Sequence, residues 1–346
     1  MDYYLKCAKC SQKYESDYRK QTCEKCESIL DITYKKRAGV PNGKGFWDYG
    51  RVLPKGKYRH YDLGGTELVR SVEYDNLFLK LELQNPTKSF KDRGSVVEVS
   101  KAKEYGYKEL AVASTGNMAY SLAYYAKTIG IKATVFIGTG ANPDKIRDIL
   151  MTHDATLKRV NGDFTKAQQH AATYASSRNA FLAGDYCYRK EGQKTIMYEI
   201  AAQLKGVTHV IVPVGNATLI SGIGRALKEM GKRKIKVIAV QAERCSPLVK
   251  ALKQRKGIKY ERPRTAADAI AVGMPTFGEQ AIDVIRISKG SAVTVTDEEM
   301  RREQDNLYKK QGILAELAGV ASIAAYKKLR FKKNDRVVAI VSGGNV

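Results

Sequence analysis

Long apolar runs are missing from this chain, and tryptophan and histidine are scarce. No uninterrupted apolar stretch approaches the roughly 18 residues that a membrane-crossing helix needs, so a membrane protein of that kind is not expected. The opening "MDYYLKCAKC" carries no apolar signal core, which makes the cytoplasm the expected compartment. The four histidines lie far apart in no metal-binding spacing and are assigned no role. There is one Trp and no RNA-recognition signature. Acidic residues are outnumbered, 36 against 60 lysines and arginines, leaving a formal charge of +24. A positive field of that size attracts phosphate backbones. The lysines, however, are spread along the chain in short pairs such as Lys35-Lys36 and Lys332-Lys333, with no long basic tail. A basic solvated surface serving small anionic substrates is expected, and no specific nucleic-acid partner.

The 346 residues exceed the usual size of one compact domain, and 43% are hydrophobic, so two lobes and a small appendage are expected. Strand-like and helix-like segments alternate. "LFLKLEL" at 77–83 reads as a strand and the stretch after Lys91 as a helix. "ELAVAS" is followed by the helical "NMAYSLAYYAKTIG", "KATVFI" by a helix start at Pro143, and "ATLKRV" by "FTKAQQHAATYASS". Later come "HVIVPV" before "ATLISGIGRALKEM", then "IKVIAV", "AVTVT" with its acidic cap "DEEM", "ELAGVASIAAYKKL" and a final "RVVAIVS". This repetition predicts an α/β fold of parallel sheets joined by crossover helices. No internal repeat or low-complexity linker interrupts it.

Six cysteines divide unevenly. Cys187 and Cys245 stand alone and are expected to be free and buried. Cys7, Cys10, Cys23 and Cys26 form two Cys-x-x-Cys pairs separated by twelve residues. Each pair can turn two thiolates toward one ion, and two turns complete a tetrahedral shell with no open position, so one structural zinc is expected. Two redox dithiols, or a chance pairing of the spacings, are the alternatives.

Four further segments carry candidate chemistry. "ASTGNM" and "VGNATL" each follow a strand and open a helix, where unpaired N–H groups suit a carboxylate or a phosphate. "VSGGNV" places Ser342 at a strand end, and "NPTKSFKDRGS" carries Lys88 and Lys91. Each is weak alone, because glycine after a strand is what any tight turn requires. "VGNATL" matches neither the Walker pattern nor the dinucleotide fingerprint, which argues against an ATPase or a dehydrogenase.

Together these segments resemble the threonine synthase family of pyridoxal-phosphate enzymes, with the tryptophan-synthase-β-like fold (fold type II). The resemblance covers nearly the whole chain in order: "LKCAKC…CEKCESILDITY", "GFWDYGRVLP", "LGGTELV", "SFKDRG", "ASTGNMAYSLAYYAKTIGI", "RKEGQKT", "VPVGN" and "TDEEM…GILAELAGVASIAA". It implies two open, mostly parallel twisted-sheet lobes with helices on both faces. Residues 37–95 and 186–346 would form the large cofactor-binding lobe, 96–185 the small lobe, and 1–36 a zinc-ribbon-like segment.

The same resemblance implies that Lys91 is the Schiff-base lysine, with its amine favoured in the neutral form by burial beside the cofactor. Asn117 would bond the cofactor's phenolic oxygen, and Gly215, Asn216, Ala217, Thr218 and Leu219 would hold its phosphate. Ser342 would face the pyridine nitrogen. Ser114, Thr115, Gly116 and Met118 would cradle the substrate carboxylate, and Arg189 would meet the phosphate of O-phospho-L-homoserine. A homodimer is expected by the same analogy. The chain departs from the family at several positions. Ala183-Gly184-Asp185 stands where an Asn-Ser pair is usual, Ala217-Thr218-Leu219 stands where relatives are often richer in Gly and Asn, and Lys88 replaces a common glycine, so Lys88 is expected to add charge near the substrate. The rivals are a serine/threonine dehydratase-like enzyme, a cysteate-synthase-like enzyme, and a non-catalytic basic nucleic-acid-binding protein.

Overall fold

The structure is a computed structural model that describes residues 1–36, 38–114, 116–139, 155–162, 164–232 and 234–345. Three short strands open the chain: β1 (Tyr3–Cys7), β2 (Lys13–Tyr14) and β3 (Leu30–Tyr34). After β4 (Leu68–Arg70) and β5 (Leu77–Leu81) come α1 (Lys91–Glu104), β6 (Glu109–Ala113), α2 (Asn117–Thr128), β7 (Lys132–Gly138) and β8 (Thr156–Val160). Next are α3 (Phe164–Ser177), β9 (Phe181–Leu182), α4 (Cys187–Gln193), α5 (Thr195–Gln203), β10 (His209–Pro213), α6 (Thr218–Glu229) and β11 (Lys236–Ala242). The rest comprises α7 (Pro247–Gln254), α8 (Gly278–Ile287), β12 (Ser291–Val295), α9 (Asp297–Gln311), α10 (Leu317–Tyr326) and β13 (Val337–Val341). The α/β alternation expected from the sequence is present throughout. The helix expected to begin at Pro143 falls outside the described residues.

The chain divides into two compact units. One contains Met1–Ala38, Gly50–Tyr61 and Lys91–Gly192; the other contains Gly39–Tyr49, Asp62–Phe90 and Gln193–Val346. Residues 96–185 thus lie within a first unit that also takes in the N-terminal segment and the start of α1.

The first unit holds a three-stranded antiparallel sheet, β2-β1-β3, and a four-stranded parallel sheet in the order β8-β7-β6-β9. Ala111, Phe136, Val160 and Ala171 lie in the core between the larger sheet and α3. The small sheet is fastened to α4. Lys190 pairs with Asp31 at 2.5 Å, Tyr34 donates to Glu191, and the Tyr3 and Tyr188 hydroxyls lie 3.1 Å apart.

The second unit has one six-stranded sheet in the order β12-β11-β10-β13-β5-β4, parallel except at β4. Its central strand β13, Val-Val-Ala-Ile-Val, is buried at every residue, the pattern of a strand covered on both faces. At the edge, β12 is mostly half-buried. Helix α9 starts cleanly because Thr296 and Glu299 form a reciprocal capping box.

Candidate active site

In the first unit the site is built around the start of α1. Lys91 is the first residue of that helix, and its Nζ lies 3.7 Å from the Asp185 carboxylate. Asp185 belongs to the turn between β9 and α4, and only 5% of its side chain is exposed, against 16% for Lys91. The turn is held by a buried ion pair. The Gly184 N–H donates to Glu98 at 3.0 Å, and the Gly184 carbonyl accepts from Arg189 Nε at 2.9 Å. Arg189 in turn pairs with Glu98. Its remaining donors go to the Lys91 carbonyl and the Ser95 hydroxyl, each at 3.3 Å.

Burial pushes the Glu98 carboxyl up to about 7, with Arg189 opposing the shift and Asp185 adding to it. Arg189, which the family resemblance assigns to the substrate phosphate, is fully buried, and its guanidinium donors are engaged inside the unit. Its neighbours explain two glycines. A Cβ on Gly94 would stand 2.5 Å from Arg189 Cγ, and one on Gly192 would stand 1.8 Å from the Arg93 carbonyl oxygen. Helices α1 and α4 can approach this closely only without those side chains.

The carboxyl end of β6 leads into the N-terminus of α2. Ser114 is held by its N–H to the Phe136 carbonyl at 3.3 Å, and its hydroxyl accepts from the Gly116 N–H at 3.4 Å. Gly116 is the N-cap, with no side-chain cap, and Asn117 and Met118 open the helix. The N-terminal amides there are presented by backbone alone, an arrangement suited to an anion. Thr115 lies outside the described residues. Asp92 accepts from Ser121 at 2.6 Å, which joins α1 to α2.

In the second unit, residues 215–219 lie where β10 turns into α6. Ala217 adopts a left-handed conformation (φ 66°) as an N-cap without a side-chain bond, and α6 begins at Thr218. Asn216 is tied down, its carbonyl accepting from the Phe277 N–H at 3.0 Å and its Oδ1 from the Thr276 hydroxyl at 3.3 Å. Gly215 has no room for a side chain, since a Cβ would meet the Ala269 carbonyl at 2.8 Å. A tight backbone turn thus feeds the uncapped N-terminus of a twelve-residue helix, the chemistry a phosphate dianion requires.

Ser342 is buried at the end of β13, and its carbonyl accepts from the Phe90 N–H at 3.0 Å. The Gly344 N–H donates to the Lys88 carbonyl at 2.9 Å. The strand end is therefore stitched to the residues immediately before Lys91. Lys88 is exposed and lines a groove of about 500 Å³ with Leu83, Gln84, Ile313 and Leu314; neither residues 215–219 nor Ser342 line it. A lysine on a family-like segment was legible in sequence, but the groove it faces was not.

The four N-terminal cysteines converge. Their sulfurs all lie within 4.8 Å of one another, with Cys7–Cys26 and Cys10–Cys23 at 3.5 Å, and no disulfide joins them. Tetrahedral zinc with four thiolates spaces its sulfurs about 3.8 Å apart, given Zn–S bonds of about 2.3 Å, so the cluster has the right size.

In the first unit Lys91 offers an amine at a helix start; in the second, residues 215–219 lead into a helix N-terminus without a side-chain cap and Ser342 offers a buried hydroxyl at a strand end; each by itself is chemistry that pyridoxal phosphate can use. A family model for pyridoxal-phosphate dependent enzymes matches residues 60–343, and the chain belongs to that family. More narrowly, it is 35% identical to the threonine synthase of Methanosarcina acetivorans, over 99% of this chain and 91% of that protein. It is also 32% identical to a catabolic L-threonine dehydratase of Staphylococcus aureus, over 81% of this chain and 82% of that one. Among solved structures, maize serine racemase shares the fold with a TM-score of 0.74 and 23% identity, covering 81% of this chain and 88% of that one. Among the described residues no helix is long and apolar enough to cross a membrane.

Asp185, which pairs with Lys91, and Glu98 and Ser95, which hold Arg189, were not assigned to the site by sequence reading. Only Asp185 left a signal, as an acidic residue at a departure from the family pattern.

Proposed function

We propose that the protein is a threonine synthase, a lyase that converts O-phospho-L-homoserine and water to L-threonine and phosphate. The observation that carries this reading is the 35% identity with a threonine synthase over 99% of the chain. In this reading Lys91 holds pyridoxal phosphate, residues 215–219 bind its phosphate, Asn117 bonds its ring hydroxyl and Ser342 faces its ring nitrogen. A hydroxyl at that nitrogen holds no proton firmly, which suits elimination and replacement more than transamination. Once bound, the cofactor supplies an electron sink that stabilises charge developing on the substrate's carbons.

The chain's own residues do the rest. The amides at Ser114–Met118 orient the substrate carboxylate, with Asn117 and Met118 opening α2. The Lys91 amine takes the proton from Cα and then one from Cβ. The Cγ–O bond breaks with its electron pair leaving on phosphate, a proton is delivered to Cγ, water adds its hydroxyl at Cβ and gives up its other proton, and a proton returns to Cα. Arg189 acts as a positioning residue, since it grips the Lys91 carbonyl from inside the unit.

One observation favours a second reading, a dehydratase acting on threonine or serine. Asp185 places a carboxylate at Lys91, and Arg189 is committed to Glu98, which suits an uncharged leaving group. Phosphate and threonine released from O-phosphohomoserine support the first reading. Oxobutanoate formed from threonine, with no phosphate released, would replace it by the second. In either case Lys91→Ala is expected to lose turnover and the cofactor's visible absorbance.

The cysteine cluster is assigned one structural zinc. Elemental analysis of the reduced protein is expected to find about one zinc per chain; none would remove the assignment. No disulfide joins any of the six cysteines, which suits a reducing compartment such as the cytoplasm. A homodimer is the assembly to test by light scattering.

A further inference from the structure

We propose that a pocket built around Arg244, Arg262 and Arg264 is a second anion site, which captures the substrate by its phosphate dianion at the carboxyl end of β11. The proposal rests on the reading that the substrate is a phosphorylated amino acid. It names a binding site outside the residues assigned above to cofactor and substrate.

The pocket has a volume of about 650 Å³ and is lined by Glu243, Arg244, Lys250, Glu261, Arg262 and Arg264, all in the second unit. Its position follows from the sheet. Strands β10 and β11 run parallel, so the residues just after β11 emerge at the same end as residues 215–219, which follow β10. The chain then returns toward that phosphate cradle. A short step beyond Arg264 stands the Ala269 carbonyl, which a Cβ on Gly215 would meet at 2.8 Å. Parallel α/β sheets gather their ligands at this end.

The lining carries four basic and two acidic side chains, and the acidic pair does not cancel the arginines. Glu261 is taken up by Lys250 at 2.7 Å and by the Ser246 N–H at 3.1 Å. Glu243 is exposed and opposes them alone. The three arginines are exposed, and their side chains enter no hydrogen bond or ion pair among the described residues. Guanidinium donors in that state can grip a phosphate in parallel pairs. Those of Arg189, by contrast, are engaged.

The backbone beneath the arginines is pinned. The Arg264 N–H donates to the Arg244 carbonyl at 3.2 Å and the Glu261 N–H to the Gly273 carbonyl at 3.1 Å. Farther along the segment, the Ala266 N–H and the Thr265 hydroxyl both donate to Asp297, at 2.8 Å and 2.5 Å. The spacing of the arginines is therefore set before an anion arrives, which lowers the ordering cost of binding. An exposed basic cluster of this kind raises the local concentration of anions and their rate of encounter, and salt removes the effect.

The test compares holoenzymes. One variant combines Arg244→Gln, Arg262→Gln and Arg264→Gln. The control combines Arg330→Gln, Lys332→Gln and Lys333→Gln, which removes the same charge from exposed residues before β13, at the opposite end of the sheet. At an ionic strength of about 0.01 M the first variant is expected to lose at least about fivefold in kcat/KM for O-phosphohomoserine, through KM rather than kcat, with the control within about twofold of the parent. Glu243→Gln removes the opposing carboxylate and is expected to gain about twofold. All these differences are expected to vanish toward about 1 M salt. Equal losses in the two triple variants, or no loss in the first, overturn the proposal.

Calorimetric titration of inorganic phosphate into the same holoenzymes needs no turnover. The arginine variant is expected to bind at least about fivefold more weakly than parent and control. Unchanged affinity, or no phosphate uptake by the parent, ends the proposal. A protein that binds phosphate through these arginines yet releases none from O-phosphohomoserine would defeat the threonine synthase reading and leave the anion site standing.

Discussion

Lys80 on β5 has no exposed side-chain surface, and its ammonium meets Glu199 at 2.8 Å, the Thr66 carbonyl at 2.6 Å and Gln203 at 2.9 Å. A buried ion pair of this kind adds little over a hydrophobic replacement, but losing one partner strands a charge. Lys80→Ala is therefore expected to lower the unfolding free energy by about 3–5 kcal/mol in denaturant titration. Glu98 makes a prediction of the other kind. Its carboxyl is raised by burial from the ordinary 4.5 to about 7 in the folded protein, so the folded state holds its proton more tightly than the unfolded chain does. The stability this contributes is complete below about pH 4.5 and is lost as pH rises through about 7. Glu98→Gln is expected to flatten that slope in a series of denaturant midpoints; an unchanged slope would remove Glu98 as its source. Single residues were the least legible in the sequence. Lys91 could be picked out by its segment, but Asp185 and Arg189 take their roles from partners about a hundred residues away, and no local pattern encodes such a pairing.

Elements were far more legible, because periodicity and turn residues act within a few residues. Strands at 109–113, 132–138, 209–213 and 337–341, and helices at 164–177 and 297–311, lie where apolar spacing placed them. The short strand β4 and the two-residue β9 were not foreseen, since runs of two or three residues carry no period. What the sequence also concealed is why α4 must lie against α1. Gly192→Ala would drive a methyl into the Arg93 carbonyl, and backbone, unlike a flexible side-chain end, cannot yield. Overpacking of this sort costs about 1–3 kcal/mol or more. The variant is expected to unfold earlier and to bind cofactor more weakly, because α1 carries Lys91. Gly257→Ala, where a Cβ meets nothing within 4 Å, is the matched control and is expected to behave as the parent. The N-terminal sheet enters the same argument: through Asp31 and Tyr34 it fastens α4, the helix that carries Arg189.

At the scale of the molecule, charge and topology dominate. A formal charge of +24 makes the compact state repel itself. Raising ionic strength from about 0.01 M to about 0.15 M shortens the screening length from about 30 Å to about 8 Å and is expected to raise the thermal midpoint. A fall would mean that attractive pairs outweigh the repulsion. The family-scale architecture was legible because so many ordered segments agreed. The strand order of the sheet was not, since pairing partners lie far apart in sequence. That order has a consequence for how the protein is made. Strand β13 comes after every other strand in the chain, yet it sits between β10 and β5 in the middle of the six-stranded sheet. While a ribosome is still synthesising residues 337–341, β5 and β10 must wait with open edges, and the sheet can close only afterwards. Unfinished chains would therefore expose unpaired strand edges of the kind that aggregate. A stalled or truncated product should be recognised by the cell's chaperones and proteases before it could compete for cofactor.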